Sequence, residues 1–341
     1  MKFTSAYIEI TNNCNLDCCS CYNRSGKKHL RQELSYSDFS TIADRLKGVF
    51  GCQHLTVSGG EPTLHSAFDA ILNKALSLDT EATVVTNGTI LSQKLIDSYN
   101  TTDMSLQISL DGSCEEINAI TRGTGNFTKT VRFIEKLNHK KTPTLKMVVS
   151  QNNVEDIAAF FAFAVSMHCL PTFDFITSMG NAKDTWNDLA LTAKQKLSVL
   201  RTIDVLNQNY AVKSAPPFCS YSCPLSDTQT ELSVLIKSNG NVYPCQMLYD
   251  EKYRLGNLLT DDVEVFNNAF QKISSIAEAR EQMDFGCTRC IVKDTCRKGC
   301  MAFAEMKHGN PLADDEECLY RKLQFIGFEA LHPEEVNHGV Y

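Results

Sequence analysis

Export and membrane signals are missing from these 341 residues. The N-terminus, MKFTSAYIEIT, alternates polar and apolar residues. It lacks the apolar core of about 7–15 residues that a secretory signal needs. No run approaches the roughly 20 apolar residues of a membrane span. Lys/Arg-rich runs are absent too, and the formal charge is −7, so nucleic acid is not favoured as a partner. Internal repeats and low-complexity tracts are absent, and tryptophan occurs once, at Trp186. The expectation is a soluble cytoplasmic protein with ample apolar content for one large domain or two.

Cysteine is the residue in excess, with fifteen in the chain. Nothing directs export, the chain is not small and the count is odd, so a disulfide framework is disfavoured. In a reducing compartment clustered cysteines are more often metal ligands. The eight histidines show no ligand spacing and read as surface or structural residues.

The first 210 residues alternate β-rich runs with amphipathic stretches. Strands are predicted at 6–11, 54–59, 82–87, 105–111, 144–150 and 173–178, and helices at 37–50, 66–78, 92–99, 128–138, 154–167 and 192–209. Ser37, Ser92 and Thr192 read as N-caps. Six strand–helix units predict an α/β fold, a partial (β/α)6 barrel of parallel strands with active groups at the C-terminal strand ends. Ala215-Pro216-Pro217 reads as a hinge, and 231–237 with 241–246 as a hairpin around Ser238-Asn239-Gly240. The remainder reads as loop-rich and cysteine-punctuated, up to a helix near 319–330. The expected division is 1–210 for the barrel, 211–325 for a small cysteine-rich domain and 326–341 for a tail.

Cys14, Cys18 and Cys21 stand as C-x3-C-x2-C directly after the first strand. Three thiolates hold three corners of a four-iron cubane, and the missing fourth leaves one iron open to a small molecule. A zinc knuckle is the alternative. Ser58-Gly59-Gly60-Glu61-Pro62 ends the second strand, where the glycines permit close backbone approach and the carboxylate can accept from an ammonium. Thr86-Asn87-Gly88 ends the third strand and Ser109-Leu110-Asp111-Gly112 the fourth.

The triad and these strand-end motifs together resemble radical S-adenosylmethionine enzymes. That resemblance implies that the open iron binds the cofactor's amino and carboxylate groups and that its cleavage gives a 5′-deoxyadenosyl radical. It assigns Gly59, Gly60 and Glu61 to the methionyl amino group, and Thr86, Asn87, Ser109 and Asp111 to further cofactor contacts. Arg122 reads either as a contact to cofactor or substrate or as a solvated loop arginine. Cys19 is taken as a bystander. Ser20 stands where the family often has an aromatic residue, with Tyr22 after the third cysteine instead.

Cys287, Cys290, Cys296 and Cys300 form C-x2-C-x5-C-x3-C, with Cys318 beyond and Cys219, Cys223 and Cys245 upstream. A pair of zinc sites is the generic reading. The order is similar to the SPASM domain appended to many such enzymes. That likeness implies two auxiliary 4Fe–4S clusters, the inner held by Cys219, Cys223, Cys245 and Cys300 and the outer by Cys287, Cys290, Cys296 and Cys318. Eleven of the fifteen cysteines are then ligands, leaving Cys19, Cys52, Cys114 and Cys169. The Cys219–Cys223 gap is tighter than the family's, which makes Cys219 the weak link.

The same resemblance implies a maturase that abstracts hydrogen from a ribosomally made precursor peptide, leaving an oxidative modification or a C–C or thioether crosslink. Its expected partners are that peptide, recognised by a separate leader-binding protein or by the barrel mouth itself (the chain starts at the first barrel strand, with no recognition domain before it), and a flavodoxin or ferredoxin-type reductant. Alternatives are a peptide epimerase with Cys114 returning hydrogen, and a dehydrogenase acting on an amino acid or aminoglycoside. Sulfatase maturation is disfavoured, because Gln246 stands where that branch has a proton-accepting aspartate. Trp186 either flanks substrate or packs ordinarily.

Overall fold

Alternation at the N-terminus produces a long first strand, β1 (Lys2–Thr11), which sends Phe3, Ala6, Ile8 and Ile10 inward. The step from Phe3 to Ala6 breaks the period of two, and the strand's pairing on one side slips at the same place. β2 (His54–Gly59), β3 (Glu81–Thr86), β4 (Ser105–Ser109), β5 (Thr144–Val149) and β6 (Leu170–Phe175) follow in parallel order beside it. The computed structural model describes residues 1–26, 31–138, 140–217, 223–226, 231–315 and 317–331. Cys219 and the stretch from His332 onward lie outside the described residues.

Helices link the strands and pack on the sheet's outer face. α1 (Tyr36–Gly48) buries Phe39, Ile42, Ala43 and Leu46, the spacing of one helical face. Its cap is Ser35 and not Ser37, because Ser35 is extended and its hydroxyl accepts from the Asp38 N–H. α2 (Phe68–Ser77), α3 (Gln93–Thr101), α4 (Glu115–Arg122), α5 (Asn126–Ile134) and α6 (Ile157–Ser166) continue the alternation. The short α7 (Trp186–Leu189) precedes α8 (Ala193–Tyr210), which a Thr192–Gln195 capping box opens. Ser92 caps α3 as expected.

Beyond residue 210 the chain returns to the same sheet. β7 (Glu231–Ile236) pairs parallel with β1, from Lys2↔Glu231 to Ile8↔Ile236. β8 (Asn241–Tyr243) and β9 (Gly256–Asn257) add antiparallel strands, so the order is β6-β5-β4-β3-β2-β1-β7-β8-β9. The expected hairpin therefore exists, and its first strand also closes the free edge of β1. α9 (Val263–Glu281) fills what the sequence reading left as loop, with Phe266, Phe270, Ile273 and Ala277 buried. Phe266 meets Phe3 and Phe50 at ring-centroid distances of 6.2 and 5.2 Å, which welds this segment to the base of β1. α10 (Met301–His308) and α11 (Cys318–Leu331) complete the fold, and α11 runs through residue 326, where a tail was expected to begin.

Candidate active site at the strand ends

The cysteine loop is held by glycines. A Cβ on Gly59 would lie 2.2 Å from the Thr11 carbonyl oxygen, and one on Gly60 would lie 2.3 Å from that of Asn13. The Gly60 N–H donates to Thr11 O and the Glu61 N–H to Asn13 O, at 2.7 and 2.8 Å. The glycine pair thus lets the turn after β2 lie flat against the start of the cysteine loop. At the loop's far end Asn181 donates from its backbone to Cys21 O and from its side chain to Cys18 O, at 2.9 and 2.8 Å. Gly180 makes that approach possible, since a Cβ there would sit 2.1 Å from Cys21 O. Nothing in the sequence reading pointed to Gly180 or Asn181.

Within this frame Cys14, Cys18 and Cys21 come close enough to raise one another's pKa. Burial is the larger cause, pushing Cys14 up to about 11 and Cys18 up to about 12, while the Arg122 cation pulls both back. Such thiols release protons on metal binding. The Asn87 amide reaches towards Cys14 Sγ at 3.9 Å and donates to Asn15 Oδ1 at 3.0 Å. Cys19 turns away from the triad, its thiol towards Ile120 O and its side chain against the small apolar cluster of Ile176, Ala182 and Leu189.

The predicted cofactor residues surround the triad in two layers. Glu61 is fully buried, and its Oε1 accepts from the hydroxyls of Thr63 and Thr86 at 2.6 and 2.8 Å. Its Oε2 accepts from the Asn87 N–H at 2.7 Å. The carboxylate thus ties the turn after β2 to the end of β3. Asp111 is also fully buried, and accepts from the Val148 N–H at 2.9 Å while pairing with Arg122 Nε at 2.8 Å. Arg122 is therefore no solvated arginine: its side chain is 11% exposed at the end of α4 and faces the triad. Ser109 ends β4, half-buried. Cys114 stands at the N-cap of α4, with no side-chain capping bond.

The C-terminal thiols fall into two groups. Cys223, Cys245 and Cys300 lie near one another and are raised by burial, Cys245 up to about 11 and Cys300 up to about 12. Cys287, Cys290, Cys296 and Cys318 line one small pocket with Arg321. The thiols so grouped are the ones the resemblance assigns to an inner and an outer set, Cys219 lying outside the described residues. Cys52 and Cys169 are buried at the opposite end of the sheet, preceding β2 and β6.

A cavity of about 680 Å³ lies between the cysteine loop and the C-terminal segment. Tyr22, Phe175, Trp186, Lys196, Cys245 and Gln246 are among its walls. Trp186 thus faces the cavity, as does Gln246, whereas Cys114 is not among the lining residues. Lys196 and Glu317 form a buried ion pair on the wall, with the Lys196 ammonium over the Phe175 and Tyr320 rings.

Comparison with known proteins gives this arrangement a family. A model described as the radical SAM superfamily matches residues 8–164, and one described as an iron–sulfur cluster-binding domain, SPASM, matches residues 227–291. Mycofactocin maturase MftC of Mycolicibacterium smegmatis is 31% identical over 327 residues, covering 91% of this chain and 81% of that protein. Sporulation killing factor maturation protein SkfB of Bacillus subtilis is 26% identical over 290 residues, covering 81% of this chain and 67% of its own. Among solved structures, native anSMEcpe with bound AdoMet shares the fold with a TM-score of 0.76 over 98% of both chains at 19% identity. Streptococcus suis SuiB bound to precursor peptide SuiA shares it with a TM-score of 0.70, over 93% of this chain and 76% of that one, at 16% identity. The chain belongs to the radical SAM superfamily and carries a C-terminal SPASM iron–sulfur cluster-binding domain.

Proposed function

We propose that this protein is a peptide-modifying radical SAM enzyme, which removes hydrogen from a ribosomally made precursor peptide and leaves an oxidised residue or a crosslink. The carrying observation is the cavity of about 680 Å³, which joins the loop of the first triad to Cys245 of the inner auxiliary group. It has the size of a ligand site, and a substrate there touches both. Similarity to the maturases MftC and SkfB supports the peptide class.

S-adenosylmethionine on a four-iron cluster supplies a primary alkyl radical, the chemistry for which this site is read. Cys14, Cys18 and Cys21 would hold the cluster. Gly59, Gly60, Glu61, Thr86, Asn87, Ser109, Asp111 and Arg122 would build the cofactor's bed, several by orienting a neighbour and not by direct touch. Asp111 holds Arg122 in place, and the Glu61 carboxylate fixes Asn87. Two further clusters belong to this reading, held by Cys219, Cys223, Cys245 and Cys300 and by Cys287, Cys290, Cys296 and Cys318. So does the division into a barrel (1–210) and an auxiliary domain from 211 onward, with α11 continuing past residue 325. A cytoplasmic setting, a low-potential flavodoxin or ferredoxin donor and a separate leader-binding partner fit the same picture. No described helix is long and apolar enough to cross a membrane.

Gln246 faces the cavity and cannot accept a proton as a carboxylate would, which argues against sulfatase maturation. Cys114 is not among the residues that line the cavity, which gives no support to an epimerase. The test is anaerobic incubation of reduced enzyme with S-adenosylmethionine and the short peptide encoded beside its gene. The expected products are 5′-deoxyadenosine and a peptide of altered mass. A peptide unchanged in mass and stereochemistry would overturn the peptide reading, and absence of 5′-deoxyadenosine would overturn the radical one.

A further inference from the structure

Among the described residues, the largest fully buried side chain is a cation. Arg280, in the last turn of α9, is 1% exposed. Its guanidinium donates to three carbonyl oxygens, those of Pro311, Ala313 and Lys298. Among the described residues no carboxylate pairs with it, and its buried Nε finds no acceptor. Nearby charges are already spent on one another. Asp315 takes Arg321 in a two-pronged pair at 2.6 and 2.8 Å, and Glu281 takes Arg297 at 2.7 Å. Of these five groups three are cations and two are carboxylates, and Arg280 is the cation with no carboxylate at ion-pair distance, although Asp315 acts on it from further off. Burying a lone cation is costly, and proteins normally place an anion beside it.

What stands beside it is the inner thiol group. Arg280 lies near enough to Cys223 and Cys300 to interact electrostatically with both. Its bond to Lys298 O reaches within two residues of Cys300. The Cys300 N–H donates to Asp315 Oδ2 at 2.8 Å, which puts the carboxylate on the same thiol's other flank. Gly299 makes room for this packing, since a Cβ there would lie 2.3 Å from Asp315 Oδ2.

We propose that Arg280 is the counter-cation of the inner auxiliary cluster and would raise its reduction potential. This rests on the reading that Cys223, Cys245 and Cys300 hold a cluster. A cubane held by thiolates is an anion and gains one more negative charge on reduction. A buried positive charge favours the reduced state, and a buried negative charge opposes it. Arg280 would touch no reacting atom and acts as a positioning residue.

The test is a redox titration of the reconstituted enzyme followed by electron paramagnetic resonance, for the parent and three variants. Arg280→Gln should lower the potential of one auxiliary cluster by at least tenfold in its reduction equilibrium, about 59 mV for one electron. Asp315→Asn should raise the same potential, and Arg280→Lys should leave it near the parent's. Structural damage alone would not give opposite signs. Equal potentials in all four proteins, with about twelve irons per chain throughout, overturn the inference and leave the cluster reading standing. A parent holding only about four irons overturns the cluster reading and the inference with it. Loss of the inner signal in every variant, the lysine one included, also overturns the role assigned to charge.

Discussion

At the residue scale, the site is governed by buried charges and missing Cβ atoms more than by the motif letters. Asp111 illustrates this. Its place in a Ser-Leu-Asp-Gly turn suggested a cofactor contact, but the carboxylate is fully buried against Arg122 and the Val148 N–H. Removing one partner of a buried pair strands the other, at a cost of about 3–5 kcal/mol. Arg122→Met should therefore lower unfolding free energy by that order in urea, and Asp111→Asn added to it should restore most of the loss. A double variant as unstable as the single one would show that the pair does not carry the effect. The glycines make a second case. Gly60→Ala drives a Cβ into Asn13 O, so iron bound at the first site should drop, by about four per chain, while far-ultraviolet circular dichroism holds. Full iron content in that variant would refute the packing role.

At the element scale, the strand–helix alternation of the first 210 residues was legible because each strand is short, apolar and followed by turn chemistry. His54–Gly59 agrees residue for residue, and the others differ by a few positions at their ends. The C-terminal third was less legible. Its cysteines dominated the reading and hid α9, although Phe266, Phe270, Ile273 and Ala277 mark a helical face. The pairing of β7 with β1 had no local signal at all, because register between segments some 230 residues apart is decided by packing and not by propensity. The grouping of the cysteines was anticipated through the family resemblance that their spacing carries, whereas Arg280, Gly180 and Asn181 gave no signal, since each acts through a contact distant in sequence. The β7 seam gives a sharp test. Val234 is buried in mid-strand opposite Ala6. Val234→Pro removes a ladder bond at a cost of about 3 kcal/mol or more, and should lower the unfolding midpoint of the whole protein, first triad included. A loss confined to the C-terminal segment would mean that the sheet does not couple the two halves.

At the scale of the whole molecule, two kinds of stabilisation meet after α9. One apolar core runs from β1 to β6 and their helices on through β7, β8, α9 and the start of α10. From Gln282 to Gly299 the chain has only a single short turn of helix, at Cys287–Arg289, and the side chains of Arg289, Ile291 and Lys293 are exposed. Such a segment has little apolar area to offset its conformational entropy, and ligation of Cys287, Cys290, Cys296 and Cys318 would tie it to the start of α11. Chelation of iron under anaerobic conditions should therefore act unevenly. Proteolysis of the stripped protein is expected to cut first between about residues 282 and 300, leaving an N-terminal fragment that contains the parallel strands and α9. The loaded protein should resist under the same conditions, and readdition of iron and sulfide before protease should restore that resistance. Cleavage that begins instead within β1 to β6, or a segment that stays resistant without iron, would show that packing and not metal holds the C-terminal third in place.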